Sequence, residues 1–321
     1  MRAPGKTAAV ALGAALVTGL ATAPASADAT QSRLIAFASN RISGEGVHNP
    51  EGDYEIFTMR ADGTHVTQLT DNAAFDFAPS WSGNGMRIAF ETDRDGNSEI
   101  YTMSVDGSDP FNVTNNPAID RWASFAPDGN SIAFESSFRD GDVDNEIFRT
   151  AADGTGLKQL TTNDVFDRQP SWSPDGRRIA FIEIVATTYH VLTMKADGTR
   201  PVDRTAKGGF FDGGPDWSPD GRRIAFSSSR NGGDDVYVMR ANGRHVRQLT
   251  PTGVSTDSEP SFGPDGHQIA FQTDRDGNFE IYRMTDDGKK LVNLTNDPAG
   301  DFTPAWQPYA KASALSAQEA H

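Results

Sequence analysis

The chain has 321 residues, no cysteine and a formal net charge of −15. Without cysteine no disulfide can brace it, so the fold must stand on its apolar core. A surface this acidic argues against nucleic acid or anionic lipid as partners, and suits cations, basic peptides or plain solubility.

Residues 1–27 read as an export signal. Arg2 and Lys6 supply the positive start, an uncharged Ala- and Leu-rich stretch runs from Thr7 to Ala23, and Ala25-Ser26-Ala27 gives the small-residue cleavage pattern. The apolar stretch falls short of the ~20 residues of a bilayer span, and no later run reaches it. A free, monomeric protein of the cell envelope or extracellular space is expected, carrying −17 once Arg2 and Lys6 are removed.

The mature chain is a repeat. Ile-Ala-Phe begins at Ile35, Ile88, Ile132, Ile179, Ile224 and Ile269, at spacings of 53, 44, 47, 45 and 45 residues. Such a period is one four-stranded propeller blade. Before the tripeptide stand a short strand and a Pro-Asp-Gly turn, as in Pro170 to Phe181. After it come a turn and a third strand, as in Thr92 to Met103, then an Asp-Gly turn and a fourth strand, as in Ala61 to Thr70. Gly accepts the positive φ of these turns and Asp caps its own backbone. The first Ile-Ala-Phe lacks a preceding aromatic strand, and Phe302 to Trp306 supplies an orphan one at the other end. Pairing the two predicts an all-β, six-bladed propeller over residues 34–308, with no open edge. Residues 309–321 are expected to be a disordered tail. The aromatics at positions 81, 125, 172, 217, 262 and 306 are expected to pack between blades.

These repeats resemble the TolB family of propeller repeats over essentially all of residues 34–308. The resemblance implies a six-bladed ring that binds proteins at one mouth of its channel. The chain departs from full-length TolB in showing no α/β domain ahead of the propeller. That places in doubt any role of that domain, including engagement of inner-membrane Tol proteins.

Strand direction sorts the turns onto two faces. The crossings between blades and the Arg-Asp-Gly-Asn turns share the top. Each crossing carries an Asp before the innermost strand, namely Asp76, Asp120, Asp167, Asp212, Asp257 and Asp301. Repetition sets these in a ring, and an acidic collar would attract a metal ion or a basic side chain. Equally, Arg41, Arg94, Arg139, Arg230 and Arg275 lie on the same face and would form intra-blade ion pairs. Blade four has Ala186-Thr187-Thr188 instead of the Arg turn, which leaves Asp167 without that partner.

Phe77, Trp122 and Phe302 follow the collar in three blades, whereas Arg168-Gln169, Gly213-Gly214 and Ser258-Glu259 follow it in the others. One half of the mouth is thus expected to be aromatic and the other polar, the pattern of a protein-binding hot spot, with Phe77, Trp122, Arg168 and Phe302 as its contacts. The bland reading packs these rings between blades, as expected of Phe75, Phe166 and Phe211.

Two turns imitate calcium loops through Asp93, Asp95, Asn97 and Glu99, and through Asp274, Asp276, Asn278 and Glu280. Calcium is the cofactor they would suit. Gly stands fourth in each, however, where a hairpin wants it, and not sixth as in an EF-hand. No cofactor is otherwise expected. The chain shows neither G-x-S-x-G nor H-E-x-x-H, and its six histidines are scattered, with His190 alone at the top. A protein-binding platform is therefore the leading expectation. Its rival is a small-ligand or divalent-metal site in the channel, with lyase or hydrolase chemistry as its extreme form.

Overall fold

The computed structural model describes residue 1 and residues 33–137, 144–205, 209–253 and 255–309. The expected export signal beyond residue 1, Arg139 and the tail beyond Tyr309 lie outside the described residues. Among these residues, twenty-four strands numbered in chain order form six antiparallel sheets of four. Each sheet is one blade of a propeller.

Ring closure follows the predicted pairing. Strand β1 (Leu34–Ser39) lies between β2 (Glu55–Arg60) and β24 (Asp301–Trp306), with Ile35 opposite Trp306 and Ser39 opposite Asp301. The other innermost strands are β4 (Asp76–Trp81), β8 (Ile119–Phe125), β12 (Phe166–Trp172), β16 (Asp212–Trp217) and β20 (Asp257–Phe262).

The repeated tripeptide has a packing reason. The strand that carries it is covered on both faces, so Ile35, Ala36 and Phe37 are all fully buried, as are their counterparts in blades two, three, five and six. The large residues turn to one side of the blade and the small one to the other. Ala36 and Ala38 of blade one receive Trp81, Ile88 and Phe90 of blade two, while Phe37 packs toward Ala270 of blade six. Large-against-small alternation around a ring gives interlocking at native density without voids. Burying each Phe contributes about 1.5–3 kcal/mol.

Hydrogen bonds from the interblade aromatics sew the seams in two ways. At four seams a side-chain oxygen of one blade accepts a backbone N–H of the next: Ser80 from Phe125, Ser124 from Trp172, Asp216 from Phe262, and Ser261 from Trp306, at 2.7–3.2 Å. At the other two the donor is an indole Nε1, from Trp81 to the Ala305 carbonyl and from Trp217 to the Ser171 carbonyl.

Blade four departs from the others. Its strands β13 (Arg178–Val185) and β14 (Thr188–Lys195) run eight residues each and meet in a tight hairpin, where the other blades place the Arg turn. Tyr309, assigned above to the tail, is half-buried and takes the Arg33 guanidinium over its ring at 4.9 Å. No helix among the described residues is long and apolar enough to cross a membrane.

Candidate partner-binding mouth

The six collar aspartates open the innermost strands, and all are fully buried. Their side chains engage the bodies of the blades. Arg94 donates to Asp76, Arg230 to Asp212, Arg275 to Asp257 and Arg41 to Asp301, at 2.8–3.1 Å. Asp120 accepts from Asn116 at 2.7 Å and Asp167 from Asn163 at 2.8 Å. None of the six lines either of the two channel cavities described below. Asp167 has no arginine, and its Oδ1 finds no hydrogen bond. Burial pushes this carboxyl up to about 8, with Glu146 and Glu183 adding like charge.

What faces the bore is a second ring, two residues further along. Ala78, Trp122, Gln169, Gly214, Glu259 and Thr303 all have φ near +50°, and each sits at a bulge in its strand. A left-handed residue at a bulge re-aims its side chain, here into the channel. Five of the six precede a proline. The Gln169 amide donates to Glu259 Oε1 at 3.1 Å and accepts the Gly214 N–H at 3.1 Å. Gly214 leaves room for the bridge, since a Cβ would stand 3.0 Å from Glu259 Oε2. This bridge spans the blade-five sector of the bore, and both of its residues border each of two cavities.

Carboxylates back the ring from the adjoining strands. Glu91 accepts the Trp122 N–H at 3.2 Å, and Glu135 accepts from Gln169 N, Asn145 and Arg168. Burial pushes Glu91 and Glu259 up to about 7 and raises Glu135 as well.

The upper chamber, about 300 Å³, lies over the polar half between Trp122, Arg168, Gln169, Tyr189, Phe211 and Glu259. The lower one, about 460 Å³, is walled by prolines such as Pro170, Pro215 and Pro260 and by the interblade aromatics. Of those aromatics Trp81, Phe125, Trp217, Phe262 and Trp306 are buried, and Trp172 is half-buried.

The aromatic half of the mouth is a continuous cluster. Tyr54 packs edge-on against Phe75, Phe77 and Phe302 at 5.4–5.6 Å between centroids. Phe77 meets Trp122 at 6.3 Å, and Phe302 meets Phe279 at 4.9 Å. All six rings are half-buried, so each keeps a face toward solvent. Phe77, Trp122 and Phe302 thus come together, although Trp122 reaches the group from the left-handed ring and not from the slot of the other two. Arg168 stands on the polar side, held to Glu135. Phe75 belongs to this cluster, stacked on Phe77 at 5.0 Å. Phe166 and Phe211 do not pack between blades as expected. They are 44% and 50% exposed and lie along blade four's long hairpin, Phe166 opposite Ile184 and Phe211 beside Tyr189.

The side chains of the calcium-like turns are taken up by hydrogen bonds within the protein, Asn97 donating to Glu99 and Asn278 to Glu280 among them. Asp93 accepts the Phe75 N–H, Asp95 the Tyr101 hydroxyl and Asn112, and Glu99 the Asn116 N–H, while Asn97 donates to two carbonyls. In the second turn Asp274 accepts the Thr256 N–H, Asp276 the Tyr282 hydroxyl, and Glu280 the Asp297 N–H, with Asn278 again a donor. Among the described residues no three His, Cys, Asp or Glu side chains are grouped to hold an ion. His190 lies 3.3 Å from Asp203 and bonds the Thr188 hydroxyl at 2.8 Å.

Tyr54 and Phe279 are the site residues that sequence reasoning missed; Gln169 and Glu259 were read on the polar half of the mouth, and what was not foreseen is that they meet.

The model of the TolB β-propeller domain matches residues 78–205 and 198–321. The chain belongs to that family. Among solved structures, this TolB-type propeller is similar to TolB from Acinetobacter baumannii, at 24% identity and a TM-score of 0.76, over 87% of this chain and 67% of that one. It is also similar to a putative TolB from Agrobacterium tumefaciens, at 23% and 0.64, over 82% and 88%. A chain of a nidogen/laminin complex shares the fold at 11% and 0.65, over 86% and 98%. No curated protein matches the sequence.

Proposed function

We propose that this TolB-type propeller is an exported platform that binds a protein or peptide at its top mouth. The aromatic crescent carries the reading. Six contacting rings, each half-buried, border a polar half built on Arg168, Gln169 and Glu259, and rigid aromatics beside satisfied polar groups concentrate binding energy. The TolB family match and the signal-like segment at residues 1–27 support protein binding outside the cytoplasm.

Affinity capture from a cell-envelope extract tests it. Wild type should retain a partner that Phe77→Ala and Trp122→Ala each weaken by tenfold or more, about 1.4 kcal/mol or above. Undiminished recovery with both variants would remove the mouth from the binding surface.

A second reading, a small ligand in the channel, is favoured by the 460 Å³ lower chamber, which has the size and apolar walls of a small-molecule site. A melting screen with small aromatic compounds tests it. A rise in midpoint that Pro215→Trp abolishes by filling the chamber would support this reading, and no rise with any compound would end it.

A further inference from the structure

The internal repeat exposes a substitution in blade one, one that blade three shares through Asp144 two residues before Glu146. In blades two and six an asparagine two residues before the third strand's Glu closes the top of the blade. Asn97 Nδ2 donates to the carbonyls of Asn116 and Ala118 at 3.0 and 2.7 Å, and Asn278 Nδ2 to those of Asp297 and Ala299 at 2.8 and 2.6 Å. Blade one has the same crossing. Glu55 accepts the Asn72 N–H, and Asn72 Oδ1 accepts the Ala74 N–H, as Glu99 and Asn116 do in blade two. Asn72 Nδ2 donates to its collar Asp76 just as Asn116 donates to Asp120.

Blade one, however, puts Asp53 in the asparagine slot. A carboxylate has no proton to give to the Asn72 and Ala74 carbonyls that the repeat sets opposite it. Both Asp53 carboxylate oxygens are buried and make no hydrogen bond. Next to it Glu55 is fully buried, with its Oε1 on the Asn72 N–H and the Thr70 hydroxyl beside its carboxylate, as the Thr114 and Thr295 hydroxyls stand beside Glu99 and Glu280. Buried oxygens left bare, as those of Asp53 are, call for a positive partner.

We propose that blade one binds a calcium ion between the Asp53 and Glu55 carboxylates and the backbone carbonyls of Asn72 and Ala74. Calcium takes six to eight oxygens at irregular geometry, so two carboxylates, two carbonyls and water suit it. Magnesium demands a near-ideal octahedron and fits worse. Two carboxylates with carbonyl help are a different arrangement from a cluster of three acidic side chains, and the site has neither His nor Cys. Burial raises both Asp53 and Glu55, the latter to about 8, with Asp76 adding to each. A divalent cation would reverse that pressure. The ion would also fix the main chain on both sides of Tyr54, the ring at the centre of the crescent.

The test is thermal unfolding of the full chain in EDTA, millimolar calcium and millimolar magnesium, with terbium luminescence sensitised by Tyr54 as a second readout. Calcium at a hundredfold excess over its Kd should raise the wild-type midpoint by about 5–10 °C. Asp53→Asn restores the blade-two amide, so it should melt higher than wild type in EDTA and gain nothing from calcium. Asp95→Asn, in the blade-two turn, should keep the calcium gain. No calcium effect on wild type would overturn the proposal, and Asp53 would then be holding a proton. A calcium gain that survives Asp53→Asn would place the ion elsewhere and overturn it equally. Neither outcome bears on capture at the aromatic mouth, which is read separately.

Discussion

Arg41→Ala should lower the free energy of unfolding by about 3–5 kcal/mol, the loss typical of breaking one side of a buried ion pair. Arg41 is only 5% exposed and donates to Asp301 at 2.8 Å, across 260 residues of sequence. Its guanidinium also lies 5.3 and 5.1 Å over the Phe37 and Phe57 rings. Deleting it strands the Asp301 carboxylate, whose Oδ2 already lacks a partner, on the strand that closes the ring. Chemical denaturation at constant m-value measures the loss. Arg94, Arg230 and Arg275 make the same pair with side chains 19–23% exposed, so their alanine variants should lose less. Burial already raises the Asp301 carboxyl above its ordinary value, with Arg41 opposing. Without Arg41 it will hold its proton to higher pH, so the deficit should shrink as the solution is acidified. An Arg41→Ala loss no larger than that of Arg94→Ala, and flat with pH, would contradict the argument.

Asp167→Asn should stabilise the protein, by about 4 kcal/mol at neutral pH. The folded-state carboxyl titrates at about 8, against 3.8 ordinarily, because it is buried without an arginine. The folded chain therefore keeps a proton that the unfolded chain releases. Stability from this group is complete below about pH 4, falls as pH rises through the window between 3.8 and 8, and stays lost above it. Asparagine can keep the Asn163 contact and has nothing to titrate. Wild type and variant should thus converge near pH 4 and diverge steadily toward pH 8. The opposite sign is expected for Asp212→Asn, which breaks the Arg230 pair. Parallel stability curves for wild type and Asp167→Asn would show that the carboxyl is not held protonated.

The architecture was legible because the repeat states it six times. Ile-Ala-Phe fixes the second strand of each blade, and the orphan Trp306 strand leaves one way to close the ring. The missing Arg turn in blade four likewise marked Asp167 as a collar member that has no arginine among the described residues. The bore was less legible. Which side chain enters it depends on a bulge and a left-handed residue, and proline marks that slot in only five blades, since Ala123 follows Trp122 in blade three. Trp122 was therefore found for its aromaticity and placed in the wrong slot. Gln169 and Glu259 meet across 90 residues, a contact that no local pattern encodes. Phe166 and Phe211 were misplaced because an aromatic in a crossing reads alike whether the neighbouring hairpin is short or long. Asp53 against Asn97 was visible in the aligned repeats, but only coordinates show that the asparagine gives hydrogen bonds the aspartate cannot.

The two indole seams are three blades apart, on opposite sides of the circle. They divide the molecule into two arcs, blades two to four and blades five to one, each stitched internally by side-chain acceptors. A parting along these two lines would leave the arcs to behave as clamshell halves. The Gln169–Glu259 bridge crosses one of the lines, so the same parting would break the bolt that borders both cavities.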